Sequence, residues 1–268
     1  MEKLLKYCLS LFVIGCIFSC KSDKEEALKV LEFGKHYQGS AQSLNALTRV
    51  LEIDATNAEA YRELSIPYLK RGIPNHWKTY MDQAVTLDSL SWIGYRGYNY
   101  LWFYRDYKKA IADFDATDIL TPNFVDAPQG HSVDYWRGIA YLGLKDRENS
   151  IAYFDKYINK EIEDSGEDWV ELTAFLYRGI AYFESGNYES ALMNFDKQLQ
   201  YSKNLSADAK YYKARVLNEQ GDIENAKLII DAAIEDFNIG YFNNRPYVET
   251  IRQIYMEDLM LLKSELSL

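Results

Sequence analysis

Nearly the same hexapeptide occurs three times in this chain. WRGIAY fills residues 136–141, YRGIAY fills residues 177–182, and YRGYNY fills residues 95–100. None of the three contains a histidine, a cysteine or a carboxylate, the side chains that most often carry catalysis or bind metals. Self-similarity along a chain is typical of repeat proteins, in which each repeat buries its apolar face against its neighbours. The recurring segment is therefore expected to have a structural role.

Composition favours long helices. The chain has 268 residues, of which 48% are hydrophobic, and this suffices for a sizeable core. Only 14 glycines and 5 prolines interrupt it, which favours helices over many short strands. The formal charge is −10 and no cluster of Lys and Arg is present, which argues against nucleic acid and against electrostatic binding to anionic lipid.

The residues after the second hexapeptide complete a recognisable pattern. The segment YRGIAYFESGNYESALMNFD places an aromatic residue three positions after Gly179, a Gly-Asn-Tyr turn at 186–188, then Ala191, and Phe195 four residues later. This arrangement resembles the tetratricopeptide repeat. The resemblance implies an all-α fold, a right-handed superhelical solenoid of about six hairpins, each made of a helix A and a helix B.

The same frame can be moved along most of the chain. It predicts six units, which cover residues 24–57, 58–91, 91–124, 131–164, 172–205 and 207–240 within a solenoid of residues 20–240. Residues 241–268 are expected to form the C-terminal cap, with a helix over about 247–266, after Arg245-Pro246, that covers the open end of the last unit.

The repeat pattern assigns packing roles to three sets of side chains. Small residues of helix A let the two helices of a unit approach closely: Gly97, Gly138, Gly179 and Ala214. Alanines of helix B have the same role: Ala110, Ala191 and Ala226. Phenylalanines of helix B fill the space between successive units: Phe114, Phe154 and Phe195. Glycine inside a helix costs about 1 kcal/mol relative to alanine, and close packing is expected to recover this cost.

An arginine precedes each repeated glycine, and an aspartate follows each repeated phenylalanine. We predict ion pairs that join helix A to helix B of the same unit: Arg96 with Asp115, Arg137 with Asp155, and Arg178 with Asp196. The alternative is two independent solvated faces, because an exposed pair contributes only about 0–1 kcal/mol.

In the family that the chain resembles, helix A lines a concave face. The frame assigns seven residues to this predicted groove: Tyr98, Trp102, Tyr135, Leu142, Phe183, Tyr211 and Arg215. An aromatic stripe of this kind suits an extended peptide or an amphipathic helix as a partner. The alternative is that these side chains belong to the core.

The N-terminus is predicted to be a targeting segment. Two lysines precede an apolar run of 13 residues, 7–19, which is too short to span a bilayer and fits a signal peptide of residues 1–19. Ile17-Phe18-Ser19-Cys20 resembles a bacterial lipobox, which implies that Cys20 carries acyl chains and becomes the mature N-terminus. The alternatives are cleavage at Gly15-Cys16 and an ordinary signal-peptidase site. The expected location is the outer membrane of a bacterial envelope, facing the periplasm or the surface.

No motif indicates enzyme chemistry. The three histidines, His36, His76 and His131, fall in different units, and we expect no cofactor and no metal. The acidic run 161–168 lacks the spacing of a calcium loop and is interpreted as a solvated connection. The irregular segment 121–131 is expected to fold back on the solenoid or to meet a partner, because Phe124 and Val125 need cover.

The predicted function is a non-enzymatic protein-binding or scaffold module. One alternative is an envelope assembly factor, of the type that acts in outer-membrane protein insertion or pilus assembly. A second alternative, a glycan-active enzyme, would need two opposed carboxylates in one cleft.

Overall fold

The computed structural model of the protein describes residues 23–267, and within them the chain forms α-helices, two short 3-10 segments and no strand. The all-α fold class is thereby confirmed for the described residues. Residues 1–19 and Cys20, with the predicted lipidation, lie outside them. The helices are α1 (described over 23–35), α2 (Ala41–Ile53), α3 (Ala58–Lys70), α4 (Pro74–Leu87), α5 (Ser89–Trp102), α6 (Tyr107–Leu120), α7 (Val133–Gly143), α8 (Arg147–Asp164), α9 (Leu172–Glu184), α10 (Tyr188–Tyr201), α11 (Ala207–Glu219), α12 (Ile223–Asn238) and α13 (Met256–Glu265).

The chain divides into two compact units, Met1–Arg96 and Gly97–Leu268, with the boundary inside α5. In the described part of the first unit, α1, α2 and α3 share an apolar core made of Ala27, Leu31, Leu47, Val50, Ala60 and Leu64. Helices α3 and α4 of this unit pack together as a hairpin. In the second unit the hairpins are α7 with α8, α9 with α10, and α11 with α12, and α13 packs on α12.

The hairpin turns of the second unit share one two-residue device. A residue with positive φ comes first, and the next residue is an aspartate or asparagine whose side chain accepts a hydrogen bond from the first turn of helix B. The four pairs are Arg105-Asp106, Lys145-Asp146, Gly186-Asn187 and Gly221-Asp222. Left-handed backbone is least costly for glycine, which explains the Gly-Asn and Gly-Asp sequences at two of these turns.

The repeated glycines of helix A lie against phenylalanine rings of helix B. A Cβ at Gly138 would lie 2.9 Å from the ring of Phe154, and one at Gly179 would lie 2.6 Å from Phe195. No real Cβ sits this close to a buried ring, so the two helices could not approach this far with alanine. The same rings also reach the next hairpin, since Phe154 stacks on Tyr177 with ring centroids 6.3 Å apart.

The other small residues of the repeat pattern are also buried. In the second unit a Cβ at Gly97 would lie 2.8 Å from Phe114. The alanines assigned to close packing have no exposed surface: Ala110, Ala191, Ala214 and Ala226.

The arginines pair with a different hairpin from the one that the sequence predicts. Arg137 on α7 does not bind Asp155; it donates to Asp115 on α6 at 3.0 Å and to Asp118 at 2.6 Å. Arg178 on α9 does not bind Asp196; it donates to Asp155 on α8 at 2.7 Å. Each arginine therefore reaches back to helix B of the preceding hairpin.

The two remaining members of the pattern follow the same rule. Asp196 accepts from Lys213 on α11 at 2.5 Å, one hairpin further along the chain. In the first unit, Arg96 donates to Asp82 on α4 at 2.9 Å. The pairing of Arg96 with Asp115 stays a prediction.

The reason is the geometry of the helix. Successive residues are turned by about 100° around a helix axis. Because Gly138 faces helix B of its own hairpin, the residue before it is turned towards the preceding hairpin. Arg178 keeps one bond within its own hairpin, to the Asn194 amide oxygen on α10 at 2.8 Å. The ionic bonds of Arg137 and Arg178 therefore join successive repeats instead of bracing one repeat through Asp155 or Asp196.

The C-terminal prediction also needs correction. The capping helix expected over about 247–266 occupies only Met256–Glu265, and residues 241–255 have no regular helix. Helix α13 buries Leu259 and Leu262 against its neighbours, and Lys263 pairs with Asp231 of α12 at 2.8 Å.

The corrected pairing can be tested by double-mutant cycles in urea unfolding. Arg178→Met combined with Asp155→Asn should show a coupling of about 0.5–1 kcal/mol, because the pair is half-buried and direct. The matched cycle of Arg178→Met with Asp196→Asn should show none. Coupling in the second cycle and not in the first would restore the pairing within one repeat.

Candidate functional site

The predicted groove residues are found on the helix-A face of the second unit, but they are not open. Trp102 is 1% exposed, Tyr135 is 3% exposed and Leu142 has no exposed surface. The four other predicted residues are half-buried: Tyr98, Phe183, Tyr211 and Arg215. Burial of these three side chains leaves the binding of an external partner at this face a prediction.

The cover is the chain itself. Residues 241–255, which we call the strap, run between α12 and α13 and contact the A helices. The guanidinium of Arg245 lies 4.2 Å from the ring centroid of Trp102 and 5.6 Å from that of Tyr98. Arg245 also donates a hydrogen bond to the Tyr98 hydroxyl. Stacking of a half-buried guanidinium on tryptophan is worth about 1–2 kcal/mol.

A second arginine holds the other end of the strap. Arg252 donates to both carboxylate oxygens of Glu184, at 2.5 and 3.1 Å, and to the carbonyl oxygen of Leu142 at 3.3 Å. The bidentate bond raises the pKa of Arg252, although burial opposes it. The two arginines are seven residues apart and bind different A helices, which fixes the strap along the face.

The strap is also bound through a buried carboxyl group. Asp208 at the start of α11 accepts the backbone N–H of Asn243 at 2.7 Å, and the Asn243 amide donates to the Tyr177 hydroxyl at 2.8 Å. Burial raises the pKa of Asp208 to about 7, while the hydrogen bonds from the Asn243 and Asp208 backbone act in the opposite direction. The Tyr177 hydroxyl has a raised pKa, again because of burial.

The predicted partner-binding residues thus separate into two groups. Tyr98, Trp102 and Leu142 bind the strap, so their ligand in this structure belongs to the same chain. The others pack among themselves or with the core: the Arg215 guanidinium lies 4.7 Å from the Phe183 centroid, and the Tyr135 hydroxyl hydrogen-bonds Thr173 at 2.6 Å.

A second surface of the same unit is open. A cleft of about 850 Å³ lies between the α6–α7 connection, the C-terminal half of α8 and the α8–α9 connection. Phe124 is 65% exposed and Trp169 is 74% exposed, and both line it together with Val125. The sequence marked the two connections as irregular but treated them separately. The fold brings them together because both join a helix B to the next helix A, at the edge opposite the hairpin turns.

The polar lining of the cleft is acidic. Two lysines are matched by carboxylates, Lys156 with Asp134 at 2.9 Å and Lys160 with Asp164 at 2.6 Å. Among the described residues, no cation pairs with Glu161.

His131 also lines the cleft. Burial lowers its pKa; Glu171 and Glu161 act in the opposite direction, and Arg245 reinforces the lowering. The imidazole is therefore neutral at pH 7.

Between residues 23 and 267 no group of three or more His, Cys, Asp or Glu side chains could hold a metal ion. Within the same range, no helix is both long and apolar enough to cross a membrane.

The family model described as "Tetratricopeptide repeat" matches residues 132–161, which contain α7 and most of α8. No curated protein sequence is significantly similar to this chain.

Solved structures share the fold at low sequence identity. The type IV pilus biogenesis factor PilW superimposes with a TM-score of 0.63 and 15% identity, covering 79% of this chain and 94% of that one. PilF of Pseudomonas aeruginosa gives 0.61 and 16%, covering 82% and 95%. A tetratricopeptide repeat protein from Parabacteroides merdae gives 0.55 and 16%, covering 100% and 98%. The chain therefore has the fold of tetratricopeptide-repeat proteins, and one of its hairpins matches the sequence model of that family.

We expect Arg245 to be the main anchor of the strap. Arg245→Met removes the stack on Trp102 and the bond to Tyr98, so amide hydrogen exchange in residues 241–255 should accelerate at least about tenfold. Stability in urea should fall by about 1–3 kcal/mol. Arg245→Lys keeps the charge and loses the planar guanidinium. Its exchange rate and its stability should lie between those of the wild type and those of Arg245→Met. Unchanged exchange in Arg245→Met would show that the stack does not hold the strap.

Asp208 should make stability depend on pH. The pKa of Asp208 is about 7 in the folded protein and has its ordinary, lower value in the unfolded chain. The protonated carboxyl therefore stabilises the fold fully at pH values below the ordinary aspartate pKa, and this contribution is lost as the pH rises through 7. Unfolding free energy should fall by a few kcal/mol between about pH 4 and pH 8. Asp208→Asn can still accept the Asn243 N–H and should flatten this dependence. An equally steep profile in the variant would assign the effect to other groups.

Proposed function

We propose that this protein is a non-enzymatic protein-binding module of a bacterial cell envelope, held on a membrane by acyl chains on Cys20. Its partner binds outside the helix-A face, at the open cleft between the two connections. Avidity is the mechanism, because the lipid anchor confines the protein to a surface where even a weak partner contact is retained.

The observation that carries the proposal is the exposure of Phe124 and Trp169 in one cleft. Large apolar side chains that are exposed together are typical of interaction sites, whereas single exposed ones are common and need no explanation. The tetratricopeptide-repeat fold supports the same conclusion, and the helix-A face already holds an extended segment of the chain. Binding of an external partner to that face would require the strap to leave it.

A narrower function is supported by the structural comparisons. PilW is a type IV pilus biogenesis factor by its description, and its fold covers 79% of this chain. We propose assembly of an envelope structure as the second candidate function. It differs from a general scaffold in requiring that loss of the protein blocks the assembly itself.

Photo-crosslinking in intact cells tests the proposal. A photoreactive amino acid at Trp169 of the full-length protein should yield a defined cross-linked partner, because that side chain is exposed in the cleft. The same group at Leu228, an equally exposed apolar residue on α12, is the matched control and should not yield it. Identification of the partner separates the scaffold from the assembly factor.

The control for anchoring uses the same cells. Cys20→Ala should release the protein from the membrane fraction and lower the cross-linking yield at Trp169, since the avidity is lost. Recovery of the same set of neighbours from Trp169 and Leu228 would contradict a specific partner. Membrane retention of Cys20→Ala would contradict the lipid anchor.

A further inference from the structure

We propose that the cleft recognises a basic segment of a partner protein that carries at least one large apolar side chain. The inference deepens the proposed function and rests on it. It names the chemistry of the partner, which neither the fold nor its relatives indicate.

The apolar part of the recognition comes from the two connections. Phe124 and Val125 on one side and Trp169 on the other line the same cavity and remain exposed. A volume of about 850 Å³ is within the range of pockets that hold a few side chains, and it is too small for a folded domain. The cleft therefore fits a short segment with one or two bulky apolar residues.

The negative charge of the cleft lining favours a positively charged partner segment. Five carboxylates and two lysines line the cleft, and one of the carboxylates, Asp134, is also bound by the buried Arg137 at 2.9 Å. The two lysines pair with Asp134 and Asp164, so the lining as a whole stays negative and favours a cation over an anion. Glu161 and Glu163 lie on the last turns of α8 and are available to an incoming cation.

The site is held in place before any partner arrives. The backbone N–H of Glu171 donates to the Tyr157 hydroxyl at 3.4 Å, which ties the α8–α9 connection to α8. Burial raises the pKa of Tyr157 to about 12, so this hydroxyl stays neutral. Trp136 donates to the carbonyl oxygen of Pro128 at 2.9 Å, which ties the α6–α7 connection to α7. Little ordering is therefore required on binding.

Other occupants fit less well. A second copy of this chain carries a formal charge of −10, and an anionic lipid surface is also negative, so both would be repelled by the lining. Acidic peptides are excluded for the same reason. A basic segment is the macromolecular ligand that satisfies the apolar and the charged parts together.

Binding of labelled peptides to the purified full-length protein tests the inference. Three fluorescent 12-residue peptides serve as probes: alternating Arg and Leu, alternating Glu and Leu, and alternating Arg and Ser. Fluorescence anisotropy should show at least tenfold tighter binding of the Arg/Leu peptide than of either other peptide. Binding should also weaken as salt is raised, because exposed charges are screened. Equal binding of the Arg/Leu and Glu/Leu peptides overturns the inference.

Variants locate the binding. The double variant Glu161→Lys with Glu163→Lys should weaken binding of the Arg/Leu peptide at least tenfold, and Trp169→Ala should weaken it about fivefold or more. The matched control is Glu189→Lys with Glu219→Lys, which makes the same change of net charge at exposed sites outside the cleft lining. It should change binding less than twofold. An equal loss in the control would show attraction by net charge alone and would overturn the site.

The same charge reversal separates this inference from the proposed function. If Trp169 cross-links a defined partner in cells and the Glu161/Glu163 variant leaves the yield unchanged, the partner is real and the basic-segment chemistry is wrong. If the peptides bind as expected and no partner is found, the chemistry holds and the proposed function fails.

Discussion

Contact between a glycine of helix A and a phenylalanine ring of helix B sets the spacing on which the second unit is built. At Gly138 and Gly179 the two helices lie closer than any residue with a Cβ would allow. That contact also decides where the neighbouring residues point. Because the preceding position is turned by about 100°, Arg137 and Arg178 face the previous hairpin and bind its aspartates. One close contact within each hairpin thus determines the bond between hairpins, and the buried Arg137 would be costly to leave without its carboxylates.

Stacked hairpins leave an aromatic face on the A helices, and the strap covers it. Arg245 stacks on Trp102, Arg252 binds Glu184, and Asp208 accepts the backbone of Asn243. The helix-A face, which was predicted to bind a partner segment, therefore binds a segment of its own chain. The remaining open surface lies at the edge where helix B of one hairpin connects to helix A of the next. This is why we place the partner at Phe124 and Trp169.

Much of the fold could be predicted because the repeat has a strong local signature. The Gly-Asn turn at 186–187, the glycines and the phenylalanines follow from steric rules that act over a few residues. The ion pairs of Arg137 and Arg178 were predicted with the wrong partners, because spacing alone does not show which neighbouring helix a side chain faces. The boundary at Pro246 was recognised, but the helix was placed too early, since no local signal shows that residues 241–255 lie across α5, α7, α9 and α11. The cleft was missed because its two apolar walls, Phe124 and Trp169, are 45 residues apart in sequence.

The sequence by itself therefore determined the helices, their turns and the small residues that let each pair touch. Those features depend on neighbouring residues and on the 3.6-residue period of the helix. Only the tertiary structure decided the partner of each arginine, the occupant of the helix-A face and the position of the open aromatic cleft. All three depend on surfaces that meet only after the hairpins stack, where burial and charge pairing are settled between residues far apart in the chain. The segment WRGIAY accordingly holds successive repeats together. The proposed function lies in the exposed α6–α7 and α8–α9 connections on either side of it.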